Sequence, residues 1–163
     1  MAEVFVTIAG YPNYKVSNFG NVKSITTQLI MKGTKRSNGY FNVSLTNNED
    51  KSNKTIHRLV ANAFIDNPLE KKNVDHIDHN RLNNHVSNLR WATSTENNQN
   101  RSMHSNNKSG ITGVIWNKER KKWRAYITKN KVIKYIGCFI NKEDAIRARQ
   151  EAEVLHFQEF RAV

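Results

Sequence analysis

Short runs in which apolar and polar residues alternate dominate the first third of the chain. EVFVTI near the start and YFNVSL further on alternate in this way and are rich in β-branched or aromatic residues. The turn-forming stretches SNFGN and SNG separate these runs. The pattern predicts a β-rich unit of short strands and turns over residues 1–52.

A different pattern begins at residue 56. The apolar residues of IHRLVANAF fall on one face of a helix that the following DNP would end. VDHI and NLRWAT then have the pattern of short strands on either side of a polar loop. Thr93 precedes Glu96 at the capping-box spacing that starts a helix. Residues 53–104 are therefore predicted to form a helix, a strand, a long loop, a second strand and a second helix.

The last third of the chain predicts three strands and a helix. ITGVIW, KWRAYIT and VIKYIGCF are strand-like, and NKEDAIRARQEAEVLHF has roughly helical spacing with Asn141 as its N-cap. SMHSNNKSG, residues 102–110, has the composition of a linker. The whole chain is thus predicted to be an α+β protein of small modular domains, with boundaries 1–52, 53–104 and 105–163.

The net charge of the chain indicates what kind of partner it binds. The 163 residues carry a formal net charge of +12, and residues 102–163 contribute most of it, with 13 basic and 6 acidic side chains. A surplus of this size indicates a polyanion partner, although a solvated basic surface would have the same composition. A membrane surface is not expected, because the basic residues are not backed by a long amphipathic stripe.

The chain has a single cysteine, which limits the disulfide and metal chemistry available to it. Cys138 alone can form neither an intramolecular disulfide nor a cysteine-based zinc site. The N-terminus lacks the apolar core of a signal peptide, so we expect the protein in the cytoplasm, that of the host cell if it is phage-encoded.

The residues of VDHIDHN, with one partner further along, offer the groups that phosphodiester hydrolysis needs. A neutral histidine such as His76 can take a proton from water, and the oxygens of Asp75 and Asn97 suit a Mg²⁺ ion. This works only if the helix that begins near residue 94 packs over the strand pair. Otherwise the cluster is ordinary turn chemistry, and the residues by themselves leave both interpretations open.

A resemblance favours the first interpretation. VDHIDHNRLNNHVSNLRWATSTENNQN, with TIHRLVANAFIDNP before it, resembles the HNH motif of phage and intron-encoded homing endonucleases. The resemblance implies a central ββα-metal nuclease fold in which Asp75 and Asn97 hold one divalent ion, Mg²⁺ or else Mn²⁺. It implies that His76 is the general base and Asn88 a structural asparagine. Arg90 would either contact a phosphate or be a solvated strand residue.

The chain departs from that family at one position. The family more often has glycine where this chain has His79, as in HIDGN, so His79 is a phosphate contact, a surface side chain or a second metal ligand. A structural zinc site of His76, Asp78, His79 and His85 is an alternative whose spacing matches no standard arrangement. Because adjacent strand residues point to opposite faces, Asp75 and His76 serve one cleft only if the strand ends or twists there.

The N-terminal segment IAGYPNYKVSNFGNVKS is similar to a short DNA-binding module that precedes HNH motifs in homing endonucleases. Val16, Phe19 and Val22 would pack its hairpin, while Lys15 and Lys23 would face the DNA backbone. A plain structural β-unit is the alternative.

Residues 108–157 resemble the APETALA-type DNA-binding domain of plant ethylene-response regulators, through SGITGVIW, KKWRAYI, YIGCF and EDAIRARQEA. This implies a three-stranded antiparallel sheet in the major groove with one helix packed behind it, although the plant domain's base-reading arginines are not matched. Alternation in WRAYIT leaves Arg124, Tyr126 and Thr128 to face DNA, with Lys134 a weaker candidate. The basic residues of KERKKWR that would clamp phosphates are Lys118, Arg120, Lys121 and Lys122.

Together these features predict a monomeric endonuclease of the homing type that hydrolyses phosphodiester bonds in double-stranded DNA, by nicking or by cleaving it. A DNA-binding regulator with a vestigial nuclease centre is the main alternative. An RNA-binding protein is disfavoured, because the solvent-facing aromatic pairs of an RRM-type sheet are missing.

Overall fold

The computed structural model describes residues 2–100, 107, 109–129 and 132–157. These residues fall into two compact units, 1–93 and 94–163. Most of the predicted linker, residues 102–106 and 108, lies outside the described residues.

The first unit begins with two antiparallel sheets of three strands. One sheet has the order β1-β2-β3, and the other has the order β4-β5-β6. The strands are β1 (Phe5–Ile8), β2 (Tyr11–Ser17), β3 (Val22–Ser24), β4 (Thr34–Lys35), β5 (Phe41–Asn47) and β6 (Asp50–Thr55). β6, with the sequence DKSNKT, contains no apolar residue and is held by its pairing with β5.

The same unit continues through helix α1 (Ile56–Phe64) to a two-stranded antiparallel sheet of β7 (Asn73–His76) and β8 (Leu89–Ala92). A 3-10 turn over Val86–Asn88 leads directly into β8. The helix, the two strands and the polar loop between them lie where the hydrophobic pattern predicts them.

One apolar core holds the first unit together. It contains Val16 of β2, Leu45 of β5, Val60 of α1 and Leu89 of β8, all of them buried. Residues from both sides of the predicted boundary at 52/53 therefore pack together, and that boundary lies inside β6. The division into three domains stays a prediction.

The second unit contains helix α2 (Ser94–Gln99), strands β9 (Val114–Asn117), β10 (Lys122–Lys129) and β11 (Val132–Phe139), and helix α3 (Lys142–Phe157). The strands form an antiparallel sheet in the order β11-β10-β9, and α3 packs on it. Val114, Ala125 and Ala145 form the core between sheet and helix. Together the two units confirm the predicted α+β class.

Among the described residues, no helix is both long and apolar enough to cross a membrane.

Candidate active site

His76 is the last residue of β7, and its side chain is buried with a relative exposure of 5%. Its Nε2 lies 3.3 Å from Oδ1 of Asn84, which is also buried. The His57 ring meets the His76 ring edge-on at 5.2 Å between centroids, and the Tyr40 ring lies 5.8 Å away. Burial lowers the pKa of His76 below its usual 6.5, because desolvation disfavours the charged imidazolium.

The contact with Asn84 favours one tautomer of His76. The Nδ2 group of Asn84 donates to the carbonyl oxygen of Leu82 at 3.4 Å, so its Oδ1 is the atom that faces His76. In this orientation of the Asn84 amide the oxygen can only accept, which corresponds to the tautomer with the proton on Nε2. The basic lone pair of the neutral ring is then on Nδ1.

Asp75 lies opposite Arg90 in the β7–β8 pair and forms an ion pair with it. The Arg90 Nε donates to Asp75 Oδ2 at 2.9 Å, and the NH2 nitrogen forms an ion pair with the same oxygen at 2.8 Å. Both side chains are largely shielded from solvent, with exposures of 6% and 15%. Arg90 therefore contacts the predicted metal ligand Asp75. The sequence predicted either a phosphate contact or a solvated strand residue, and neither prediction included this ion pair.

The donor chemistry of Asp75 fits a divalent metal ion. A carboxylate has about four lone-pair sites, so an arginine on one oxygen does not by itself exclude a cation. Carboxylate and amide oxygens are the hard ligands that Mg²⁺ prefers. Within the part of the chain that the structure describes, no group of three or more His, Cys, Asp or Glu side chains could hold a metal, and the four-residue zinc alternative therefore lacks support.

Asn97, the second predicted metal ligand, is an exposed residue of α2. It belongs to the second compact unit, whereas Asp75 and His76 belong to the first. Its role as a ligand stays a prediction.

The loop between β7 and β8 is built from asparagine and aspartate side chains. Asn88 donates through Nδ2 to Asp78 Oδ1 at 2.9 Å and to the Asn83 carbonyl at 2.8 Å, and its Oδ1 accepts from the Asp78 backbone N–H at 3.0 Å. Asp78 also accepts from the Asn83 side chain and the Asn80 backbone, both at 2.7 Å. Burial opposes ionisation of Asp78, but these hydrogen bonds outweigh it and hold the pKa of its carboxyl below the usual value.

His79 adopts a left-handed backbone conformation, with φ of +62°. Glycine reaches this region at little cost, whereas other residues are strained in it. The conformation explains why the resembling family more often has glycine here. The strand ends one turn earlier, at His76, whose carbonyl accepts from the His79 N–H at 3.1 Å. The condition that the strand should end beside Asp75 and His76 is thus met.

In the N-terminal sheet, Lys15 of β2 and Lys23 of β3 are directly opposite each other and half-buried. Val16 and Val22 are buried in the core, as the hairpin pattern predicts. Phe19 is not part of that packing, because it is 39% exposed and its ring lies 4.9 Å from the His85 ring.

The basic residues predicted to clamp phosphates lie in and just after the turn between β9 and β10. The exposed members are Lys118, Arg120, Lys121 and Lys122. Among the predicted groove-facing residues, Thr128 is exposed, Tyr126 is half-buried, and the guanidinium of Arg124 lies 5.6 Å from the Tyr135 ring centroid. Lys134 is different: it pairs with the buried Ile127 and its Nζ lies 3.4 Å from His156 Nε2, on the side of the sheet that α3 covers.

Three residues beside His76 were missed by the sequence pattern: Asn84, His57 and Tyr40. Asn84 is one of many asparagines in a polar loop, and His57 belongs to a helix without any metal-site spacing. Tyr40 follows a turn as an ordinary strand-entry residue. Only the chain's path through space brings the three to the imidazole, and no local signal in the sequence identifies them.

His57 predicts how the stability of the first unit depends on pH. Burial, with smaller contributions from His76 and Arg58, lowers the pKa of His57 to about 3, against 6.5 in the unfolded chain. The unfolded state therefore binds the proton more readily than the folded state. The folded state keeps its full stability with respect to His57 above pH 6.5 and loses stability as the pH falls from there towards 3. We expect His57→Phe to remove this part of the pH dependence.

Urea unfolding at about pH 7 and about pH 5 measures the effect. The difference in the free energy of unfolding between wild type and His57→Phe at about pH 7 reports the change in packing. The change in that difference between about pH 7 and about pH 5 reports protonation of His57. An unchanged difference would contradict the assignment.

Two segments of the chain match known protein families. Residues 54–99 match the family model of the HNH endonucleases, and residues 3–46 match the NUMOD4 motif. The chain thus has a segment similar to the HNH endonucleases and, before it, a segment similar to the NUMOD4 motif. HNH nucleases use a divalent metal ion. The family-model matches end at residue 99, and nothing in the comparisons supports the APETALA-type assignment of residues 105–163.

Particular relatives are viral. The chain is 46% identical over 95 residues to the uncharacterized HNH endonuclease L247 of Acanthamoeba polyphaga mimivirus, which is 56% of this chain and 24% of that protein. It is 39% identical over 87 residues to the DNA endonuclease I-HmuI of Bacillus phage SP01, covering 53% of this chain and 50% of I-HmuI. The chain therefore spans half or less of the length of these relatives.

A solved structure of the HNH homing endonuclease I-HmuI, described by its DNA binding and cleavage, has a similar fold. The match has a TM-score of 0.59 and 26% identity, and it covers 93% of this chain and 89% of that chain.

Proposed function

We propose that this protein is a metal-dependent DNA endonuclease of the homing type, which hydrolyses phosphodiester bonds by nicking or cleaving double-stranded DNA. The observation that carries the proposal is the buried, hydrogen-bonded His76 at the end of β7, inside a segment that matches the HNH endonucleases. The relatives I-HmuI and L247 are named as endonucleases, which supports the same activity.

His76 is the proposed general base. With the proton held on Nε2 by Asn84, Nδ1 takes a proton from a water as the water oxygen attacks phosphorus in line with the departing 3′ oxygen. The lowered pKa of His76 favours this role, because the imidazole is then neutral at neutral pH.

Asp75 and Asn97 are the proposed ligands of one divalent ion, Mg²⁺ with Mn²⁺ as the alternative. When bound, such an ion stabilises the negative charge that develops on the phosphate and on the leaving oxygen. Arg90 holds the Asp75 carboxylate in a defined orientation through one hydrogen bond from Nε and the ion pair of its NH2 nitrogen. Asn88 keeps the loop after β7 closed, so that the strand end on which His76 lies is fixed. The role of Asn97 is supported by the family resemblance.

Double-stranded DNA is the proposed substrate, and the net charge of +12 supports it. Lys15 and Lys23 of the NUMOD4 segment are proposed backbone contacts. In the second unit, the APETALA-type proposal assigns groove contacts to the outer face of β10 and phosphate contacts to the turn before it. These residues are Arg124, Tyr126, Thr128, Lys118, Arg120, Lys121 and Lys122. Arg90, in β8 of the first unit, is a weaker candidate for a phosphate contact, and Lys134 is left out because it lies on the side of the sheet that α3 covers. We propose a monomer that acts in the cytoplasm.

Removal of the metal tests the activity. We expect supercoiled plasmid carrying a cleavage site to become open-circular or linear with Mg²⁺ or Mn²⁺, and to stay supercoiled when EDTA is present. Adding back excess Mg²⁺ should restore cleavage. Retarded migration of the same DNA without any cleavage, under every metal condition, would favour the alternative of a DNA-binding regulator with a vestigial centre.

A further inference from the structure

Three consecutive residues of the NUMOD4 segment pack on three consecutive residues of the loop beside His76. The Asn18 carbonyl accepts from the Val86 N–H at 2.8 Å, and the Phe19 ring lies 4.9 Å from the His85 ring. The next residue, Gly20, packs directly on Asn84, the partner of the His76 imidazole.

The contact at Gly20 is too close for any side chain. Gly20 has φ of +85°, and a Cβ placed on it would lie 2.8 Å from Asn84 Cβ and 3.2 Å from the Asn84 carbonyl oxygen. Asn84 is itself buried, with a relative exposure of 7%, so it has little room to move away. The backbone of Gly20 therefore forms one wall of the site that holds the Asn84 side chain.

The turn that contains Gly20 is rigid for reasons visible in its hydrogen bonds. The Ser17 Oγ accepts from the backbone N–H groups of Phe19 and Asn21 at 3.2 and 3.0 Å, and the Gly20 N–H donates to the Ser17 carbonyl at 3.0 Å. Asn18 is buried and bonds the chain start through both side-chain atoms, accepting from the Val4 N–H at 2.8 Å and donating to the Ala2 carbonyl at 3.0 Å. Because the turn is held by these hydrogen bonds, it fixes the position of Asn84, which packs on it.

We propose that the turn over residues 17–21 positions the catalytic base: Gly20 holds Asn84, and Asn84 holds His76 in the Nε2–H tautomer and in a fixed ring orientation. Asn84 and Gly20 are then positioning residues, and the NUMOD4 segment supports catalysis in addition to any contact with DNA. This inference rests on the proposed role of His76 as the base.

A matched pair of glycine variants separates packing on Asn84 from backbone strain. Gly20→Ala adds a methyl group against Asn84, whereas Gly10→Ala adds one at a similar φ of +76° with nothing within 4 Å. We expect Gly20→Ala to lower kcat for DNA cleavage about tenfold or more with KM nearly unchanged, because a misplaced base costs rate and not substrate binding. Gly10→Ala should keep the wild-type kcat.

A pair of variants at Asn84 tests the hydrogen bond itself. Asn84→Leu keeps the size of the side chain and removes the acceptor, and it should lower kcat as Gly20→Ala does. Asn84→Asp keeps an acceptor oxygen for Nε2 and should recover a large part of the rate. Thermal unfolding of each variant shows whether the fold is retained.

An NMR measurement keeps this inference separate from the proposed activity. Long-range ¹H–¹⁵N correlation spectra of the metal-free protein without DNA report the His76 tautomer directly. We expect the Nε2–H form in wild type and in Gly10→Ala, and a mixture or the other form in Asn84→Leu and Gly20→Ala. An Nδ1–H form in wild type, or a Gly20→Ala spectrum and rate equal to those of Gly10→Ala, would overturn the positioning role. Absence of cleavage by wild type with the expected spectra would overturn only the activity.

Discussion

His76→Ala is expected to reduce metal-dependent DNA cleavage by about 10²- to 10⁴-fold, the usual contribution of a positioned general base. The variant loses the imidazole that is buried at the end of β7 and lies in hydrogen-bond contact with Asn84. DNA binding should change little, because the proposed phosphate contacts lie on other elements. Single-turnover cleavage of supercoiled plasmid, with binding measured separately by gel shift, distinguishes the two effects.

His79→Gly is the matched control for that experiment. It removes a neighbouring imidazole from the same loop, and at a φ of +62° glycine relieves strain where a side chain creates it. We expect this variant to cleave DNA as wild type does and to be at least as stable. Equal loss of cleavage in both variants would show that His76 has no special role and would point to His79 as a second functional histidine.

Gly113→Ala is expected to unfold or severely weaken the second unit. Gly113 has φ of +83°, and a Cβ placed there would lie 2.5 Å from Arg149 Nε and even closer to the Tyr126 carbonyl oxygen. The Gly113 carbonyl also accepts from the Tyr126 N–H at 2.8 Å, so strands β9 and β10 cannot separate to make room without losing that bond. Backbone strain and overpacking together should cost about 3 kcal/mol or more.

The buried guanidinium opposite Gly113 makes relaxation costly. Arg149 is only 3% exposed, forms an ion pair with Glu153 at 2.7 Å, and lies 5.5 Å from the Phe157 ring centroid. Moving it would disturb a charge that is already removed from water. The structure around Gly113→Ala therefore cannot relax without a large cost in free energy.

Gly110→Ala is the control for Gly113→Ala, since Gly110 has a similar φ of +79° and a Cβ placed on it would have nothing within 4 Å. Amide hydrogen exchange measures both units at once. In Gly113→Ala we expect protection to be lost over β9, β10 and β11 and retained over β7 and β8, which belong to the other compact unit. Equal loss of protection in the two glycine variants would show that the close contact at Gly113 does not matter.

DNA affinity in Gly113→Ala then tests the proposed role of the second unit. If that unit supplies phosphate and groove contacts, the affinity should fall and the salt dependence of binding should become shallower, because fewer phosphates are neutralised. Unchanged affinity with an unfolded second unit would remove the proposed contacts of Arg124, Lys122 and their neighbours.

Much of the secondary structure follows from local pattern. α1, β7, β8 and the three strands of the second unit lie where apolar periodicity predicts them, because each buries one face or stripe on a core. β6 is different: DKSNKT has no apolar residue, and only its hydrogen bonds to β5 make it a strand. A pattern based on burial cannot indicate an element whose stability comes from its partner.

By itself, the sequence determined the α+β class, the basic character of the surface and the short list of side chains with nuclease chemistry, because composition and periodicity are local properties. Tertiary structure alone decided which groups surround them. It placed Arg90 on Asp75, and it placed Asn84, His57 and Tyr40 around His76. It also packed the backbone of Gly20 on Asn84 across more than sixty residues of chain. Such contacts depend on how separate elements meet in one core, and for that reason no window of the sequence contains them.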